Sequence, residues 1–336
     1  MKKLSLKWLT IALVGCLISL PAQAKHIVNV SISINKIYGI NTVDQTYKID
    51  GYLVASWQDN TIKLKPKTGQ RIYENQSADK IISKDNVWFP AFEFINTVGK
   101  RQTANKRLII SSTGEVTYNE RFQGTFSTEM DFRHFPFDEQ NFKIIMEPFS
   151  YEKSQLVFGS AHIFLEKPDN KSLSEWKIED KPKATVSQHV YHHLDDAENT
   201  FFSRLTISIK AQRKADYYLW QFILPLSIIL AASWSVFWIR GFPERLNTSF
   251  TMMLTVVAYT FYTSNILPRL PYTTFIQRMI IMGYLSIFAS ILIIIFVKVR
   301  EQNGHNAEQI MRYCRYLFPG FYLLSILIMA GVNNLL

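Results

Sequence analysis

Cysteine is almost missing from this chain of 336 residues, in which Cys16 and Cys314 are the only two. Cys16 lies in an N-terminal stretch that reads as a cleaved leader. Cys314 is then left alone, so neither an intrachain disulfide nor a cysteine-based metal site is expected. Enzyme signatures are lacking as well. The chain has no His-Glu-x-x-His, no Ser-His-Asp order with a nucleophile elbow and no phosphate-binding glycine loop. Its histidines cluster in a loop without a paired nucleophile, and no catalytic activity, metal or cofactor is expected. Charged residues make up only 19%. No basic run is interleaved with stacking aromatics, which argues against a nucleic-acid partner for an exported chain.

What the chain has in quantity is apolar sequence, 48% of all residues, and it is unevenly spread. Residues 1–24 read as a secretory signal: Lys2, Lys3 and Lys7, then "WLTIALVGCLISL", then Ala22-Gln23-Ala24 as the cleavage site. A lipid-attachment site at Cys16 fits less well, because apolar sequence continues past it. Without the leader, which holds three lysines and no acid, the formal charge falls from +10 to +7. Residues 25–215 are polar, with short alternating runs such as "IVNVSISI", "YKIDGYLVASW" and "RLTISIKAQ", the pattern of an antiparallel β-sandwich. Residues 216–336 hold four apolar stretches, about 219–239, 246–267, 275–299 and 310–335, each near the length that spans a bilayer as a helix. The links "RGFPER", "PRLPYTT" and "EQNGHNAEQ" are short, so neighbouring helices run antiparallel. A cleaved leader puts the sandwich and the C-terminus on the side of the membrane away from the cytoplasm. The positive-inside bias is weak: Arg240, Arg245, Lys298, Arg300, Arg312 and Arg315 inside, Arg213, Lys214, Arg269 and Arg278 outside.

The second apolar stretch carries more hydroxyls and amides than a bilayer favours. At 100° per residue, Asn247, Thr251, Leu254, Ala258, Phe261 and Asn265 fall within an arc of roughly 80°, spaced as a heptad seam. Polar ends around an apolar middle suit the wall of a pore that closes by excluding water. Glu244 would stand at its inner mouth, where symmetric copies form a carboxylate ring attractive to cations. The competing reading makes the polar groups interhelical glue and pairs Glu244 with Arg240 or Arg245. Ser249, Thr260 and Thr263 lie on the far side of the helix, where the glue reading is the one that fits.

Several motifs together resemble the pentameric ligand-gated ion channels, and among them the prokaryotic, amine-gated branch. They are "VWFPAFEFIN" at 87–96, "MDFRHFPFDEQNF" at 130–142, "EPFSY" at 147–151, "YYLWQFILPL" at 217–226 and "SNILPRLPYTT" at 264–274. Animal relatives bracket the second motif with two cysteines. Here those positions are Thr128 and Phe142, as in the bacterial branch.

The resemblance implies an immunoglobulin-like all-β sandwich domain followed by an all-α bundle of four transmembrane helices, assembled as a homopentamer with the second helix lining the pore. Glu244 would favour monovalent cations, although Pro243 precedes it as a proline does in anion-selecting relatives. A small-molecule agonist, a primary amine, would bind between sandwiches in an aromatic box of Tyr38, Phe149, Tyr191 and Phe202. Glu93 and Glu147 would be its carboxylate partners, with Arg107 on the opposing face. The tip "HHLDDAENTF" is about two residues shorter than in the amine-gated branch, and with His189, His192 and His193 it offers proton-linked gating as an alternative. Phe135, Pro136, Phe137 and Asp138 would dock near Pro268, Arg269, Leu270 and Pro271, with Arg213 pairing Asp138, to couple binding to the pore. Membrane lipids surround the bundle. An alternative of another class is a membrane-anchored receptor that does not conduct.

Overall fold

The computed structural model describes residues 25–84, 87–166, 175–192, 200–264, 268–306 and 308–332. Alternation of apolar and polar residues builds its first half. In β1 (His26–Asn41) Val28, Val30, Ile32 and Ile34 are buried on one face, and a bulge after Ile34 shifts the phase so that Ile37 is the next to turn inward. One sheet runs in the order β3 (Gln70–Glu74), β5 (Gln102–Ser111), β6 (Glu115–Ser127), β2 (Thr46–Gln58), β1 and β8 (Leu156–Leu165). The other runs β10 (Lys183–Tyr191), β11 (Thr200–Arg213), β7 (Glu139–Pro148) and β4 (Phe92–Phe94), with β9 (Trp176–Ile178) also on β11. A short helix, α1 (Gln76–Ser83), follows β3. Phe94, Phe122, Phe126, Phe142 and Ile207 fill the space between the sheets.

The sandwich is as the alternation predicts, with one correction: the β1–β8 pair is parallel, His26 opposite Leu156 and Ile34 opposite Leu165. Alternation fixes which face of a strand is buried but carries nothing about strand direction.

The helical half starts where β11 ends. Its first span, Asp216–Phe237, combines α2 (Asp216–Tyr218), a π turn (Leu219–Ile223), α3 (Leu224–Trp234) and a 3₁₀ turn (Ser235–Phe237). Pro225 has no N–H to return to the preceding turn, and the widened π turn immediately before it accommodates the loss. Next come α4 (Phe242–Thr263), α5 (Phe275–Gln302) and α6 (Glu308–Val332, with Pro319 inside it). Among the described residues, Asp216–Phe237 and α5 are long and apolar enough to cross a membrane by composition. At 22 and 25 residues α4 and α6 have the length, but their hydroxyl and charged residues dilute the apolar signal. The second helix begins four residues before the expected 246, because Pro243 fits the first turn, where a missing N–H costs nothing.

Thr274 starts α5 with a reciprocal cap: its side chain accepts from the Gln277 N–H at 3.2 Å and its own N–H donates to Gln277 Oε1 at 2.9 Å. Removing one such cap costs about 1 kcal/mol. Thr274→Ala is therefore expected to lower the melting temperature in detergent while Thr274→Ser keeps it near wild type. Equal melting of all three would show that the cap carries no stability.

Candidate functional site

The sandwich brings most of the predicted box residues together at one end of the five-stranded sheet. Glu93 on β4 lies directly opposite Glu147 on β7. Antiparallel pairing of β10 with β11 sets His189 opposite Phe202 and Tyr191 opposite Thr200. The Tyr191 ring meets the Phe202 ring edge-on at 5.6 Å and the His189 ring at 4.6 Å. Phe149, 71% exposed, stands beside them on a backbone pinned by its N–H to the Ala91 carbonyl at 2.9 Å. His192 ends the described part of this hairpin, and His193 lies outside the described residues.

The two carboxylates differ in state. Glu147 is buried and ion-paired with Arg204, and it also accepts from the Tyr191 hydroxyl at 3.0 Å. Burial and this bond push the Tyr191 phenol above its ordinary pKa. Glu93 is exposed and has no ion pair among the described residues. A carboxylate already neutralised by an arginine offers little to a ligand, so Glu93 is the one free to meet a cation.

Tyr38 and Arg107 sit on the other sheet. Arg107 on β5 donates to Glu74 at 3.0 Å and lines a cavity of about 480 Å³ with Tyr52, Asn105, Asn119 and Arg121. The Asn119 Oδ1 is buried there without a hydrogen-bond partner among the described residues. Arg121 holds the neighbouring Asp50 carboxyl below its usual range through a two-point contact at 2.9 and 3.2 Å. Tyr38 is not in this group: Tyr52 pairs with Ser33 of β1, and Tyr38 lies five residues farther along, roughly 17 Å at 3.4 Å per residue. The aromatic accompanying Arg107 is therefore Tyr52, a correction to the expected set. Its signal in the sequence is a large aromatic on the outward parity of an alternating strand.

The residues expected to couple the two layers lie in contact, with further partners around them. Arg213 and Asp138 are 4% and 2% exposed and form two bonds at 2.7 and 3.1 Å. The guanidinium also reaches the Tyr218 hydroxyl at 3.2 Å and lies over the rings of Trp176 at 4.1 Å and Phe135 at 4.9 Å. The Phe135-Pro136 peptide is cis. Phe135 shares a cavity of about 590 Å³ with Pro268, Arg269, Leu270 and Pro271. The direct bonds to the bundle run elsewhere: the Phe132 N–H donates to the Tyr272 hydroxyl at 3.1 Å, Arg278 donates to the Arg133 carbonyl at 3.1 Å, and Phe137 packs edge-on against Phe275 at 5.8 Å.

Along α4, the described residues of the heptad seam are left uncovered by the protomer, together with the flanking Phe250 and Tyr262. Glu244, Asn247, Thr251, Leu254, Ala258 and Phe261 are all exposed, while Ser249, Val256 and Tyr259 are buried against the other helices. Asn265 lies outside the described residues. Glu244 makes no ion pair with Arg240 or Arg245 among the described residues, and Arg245 instead donates to the Ile239 carbonyl at 2.6 Å. On the far side Thr260 meets the Tyr284 hydroxyl at 2.8 Å, which is interhelical glue. Among the described residues, Thr263 bonds only within its own helix and the Ser249 hydroxyl has no partner.

Residues 19–215 match the neurotransmitter-gated ion-channel ligand binding domain. Over 307 residues the chain is 27% identical to a proton-gated ion channel of Gloeobacter violaceus, covering 90% of this chain and 82% of that one. It is 25% identical over 280 residues to the gamma-aminobutyric acid receptor subunit beta-4 of Gallus gallus, and 22% over 277 to subunit gamma-3 of Homo sapiens. The chain covers 54% and 56% of the lengths of these two receptor subunits. A sandwich carrying this domain's sequence, held to a helical bundle through Tyr272, Arg278 and Phe275, makes the chain a member of the neurotransmitter-gated ion-channel family, which comprises membrane channels and not enzymes.

Proposed function

We propose that this chain forms a homopentameric ligand-gated channel, selective for monovalent cations, in a bacterial inner membrane, with its sandwiches in the periplasm and its bundle surrounded by membrane lipids. The observation that carries this reading is the uncovered stripe of α4 from Glu244 to Phe261. It holds water-binding groups at the start and apolar ones in the middle, and copies arranged around an axis would bury it as a pore wall.

The agonist in this reading is a primary amine. Phe149, Tyr191 and Phe202 present ring faces to its ammonium, each contact contributing about 0.5–2 kcal/mol, and Glu93 supplies the charge-assisted hydrogen bond. Tyr52 and Arg107 would complete the pocket from the neighbouring protomer, since they lie on the other sheet. Glu147 serves this pocket indirectly by fixing Arg204 and Tyr191. A second reading, gating by protons, is favoured by the 4.6 Å contact of His189 with Tyr191 and by the similarity to the proton-gated channel of Gloeobacter.

Recordings across a panel of primary amines and a pH series, on wild type, Phe149→Ala and Glu93→Gln, separate these readings. Amine currents lost in Phe149→Ala and weakened about tenfold or more in Glu93→Gln are expected, on the scale of one charge-assisted bond. Currents evoked by acid alone and unaltered in both variants would transfer the function to proton gating. A wild type silent to amines and acid alike would leave the non-conducting receptor.

A further inference from the structure

The first span is interrupted where it meets α4. Leu219–Ile223 form a π turn, closed by the Leu224 N–H on the Leu219 carbonyl, directly ahead of Pro225, which has no N–H to offer. A segment short of backbone donors leaves carbonyls to be satisfied from outside. The Phe222 carbonyl accepts from the Tyr259 hydroxyl of α4 at 2.7 Å. Tyr259 is 7% exposed and lies on the covered face of α4, with Ser249 and Val256.

This turn is tied to the molecule on both sides. Toward the sandwich, the Phe222 ring stacks on Tyr218 at 5.8 Å. Tyr218 in turn accepts from Arg213 at 3.2 Å and meets the Phe135 ring edge-on at 4.8 Å. Toward α4, the Phe222 ring stacks on Tyr262 at 5.6 Å, and Gln221 donates to the Tyr262 hydroxyl at 2.6 Å. A π turn is a local break in the regular hydrogen-bond ladder, and a helix bends there more readily than elsewhere. A bond to a carbonyl inside the break makes α4 follow the bend itself.

We propose that Tyr259 is a positioning residue of gating. Its hydroxyl holds α4 to the turn that a displacement of Arg213 and Tyr218 would move. The sandwich thereby gains a route to the pore helix through the first span, separate from the loop contacts at Tyr272 and Phe275. The inference rests on the reading of α4 as the pore wall.

Tyr259→Phe keeps the ring and loses the bond. Half-maximal current is expected at about fivefold higher propylamine, or at about fivefold higher proton concentration if the wild type answers only to acid, the scale of one neutral hydrogen bond. Tyr218→Phe, which drops the bond to Arg213 on the other side of the turn, should shift the curve the same way. The two together should be no worse than the larger single shift, since links in series fail together. Tyr259→Phe with Tyr272→Phe, which removes the acceptor of the Phe132 N–H, should instead be additive. Val256→Ala, buried on the same helix, controls for lost packing and should lower the melting temperature without moving the curve. In the wild type, hydrogen exchange of the peptide spanning 217–230 should change when propylamine or acid opens the channel, which keeps the inference testable if a variant does not assemble. A wild-type curve in Tyr259→Phe, full additivity with Tyr218→Phe, an equal shift in Val256→Ala or unchanged exchange would each overturn it. A wild type that passes no current would overturn the pore reading instead, and exchange at the turn would still decide whether the first span answers to agonist.

Discussion

Arg213→Gln is expected to reach the membrane and assemble, yet to respond to agonist only at far higher concentration and with a small maximal current. The guanidinium is enclosed by Asp138, Tyr218, Trp176 and Phe135. Replacing it strands the Asp138 carboxylate with one neutral donor, Gln140 Nε2 at 2.7 Å. Breaking a buried pair from one side costs about 3–5 kcal/mol, because an uncompensated charge stays behind. Here that penalty falls on the loop that touches Tyr272 and Phe275, so it separates the binding layer from the bundle more than it unfolds either. Asp138→Asn should behave similarly. The double variant should recover part of the response, since removing both charges leaves neither one stranded. Surface labelling and size-exclusion profiles establish assembly, and concentration-response curves give the readout. Wild-type curves in both single variants would sink the coupling assignment.

Leu254→Ala should produce the opposite phenotype, a current without agonist. Leu254 is 69% exposed in the protomer and stands between Thr251 and Ala258 on the uncovered stripe. If that stripe lines the axis, shortening a ring of leucines widens the apolar neck and lets water persist in it. The resting current should then rise severalfold over wild type at equal surface expression. Val256, two residues on, provides the contrast. It is fully buried against the other helices, so Val256→Ala should lower thermal stability through a small cavity and leave the resting current alone. A leak in Val256→Ala but not in Leu254→Ala would mean that the helix is turned the other way.

These contrasts follow from how different parts of the molecule are encoded. Period-two alternation marks the strands of the sandwich, and the four-three spacing from Asn247 to Phe261 marks the stripe of α4, because each is a local rule acting on one element. Glu147 shows where such reading stops. Its acidic character is plain in the sequence, but its neutralisation by Arg204, 57 residues away, is a property of β7 lying beside β11. Tyr38 shows the same limit from the other direction: the resemblance implies it in the box with Arg107 opposite, whereas register sets Tyr52, and not Tyr38, beside Arg107.

The sequence alone therefore determined the division into a β-sandwich and a helical bundle and the face each strand and α4 would leave uncovered. All of these depend on residue type repeated at a fixed local period. Only the tertiary structure decided the parallel β1–β8 pair, which glutamate is free and which aromatic accompanies Arg107. Each of these depends on strand order, register or side-chain direction, quantities fixed when distant segments pack and carried by no single segment.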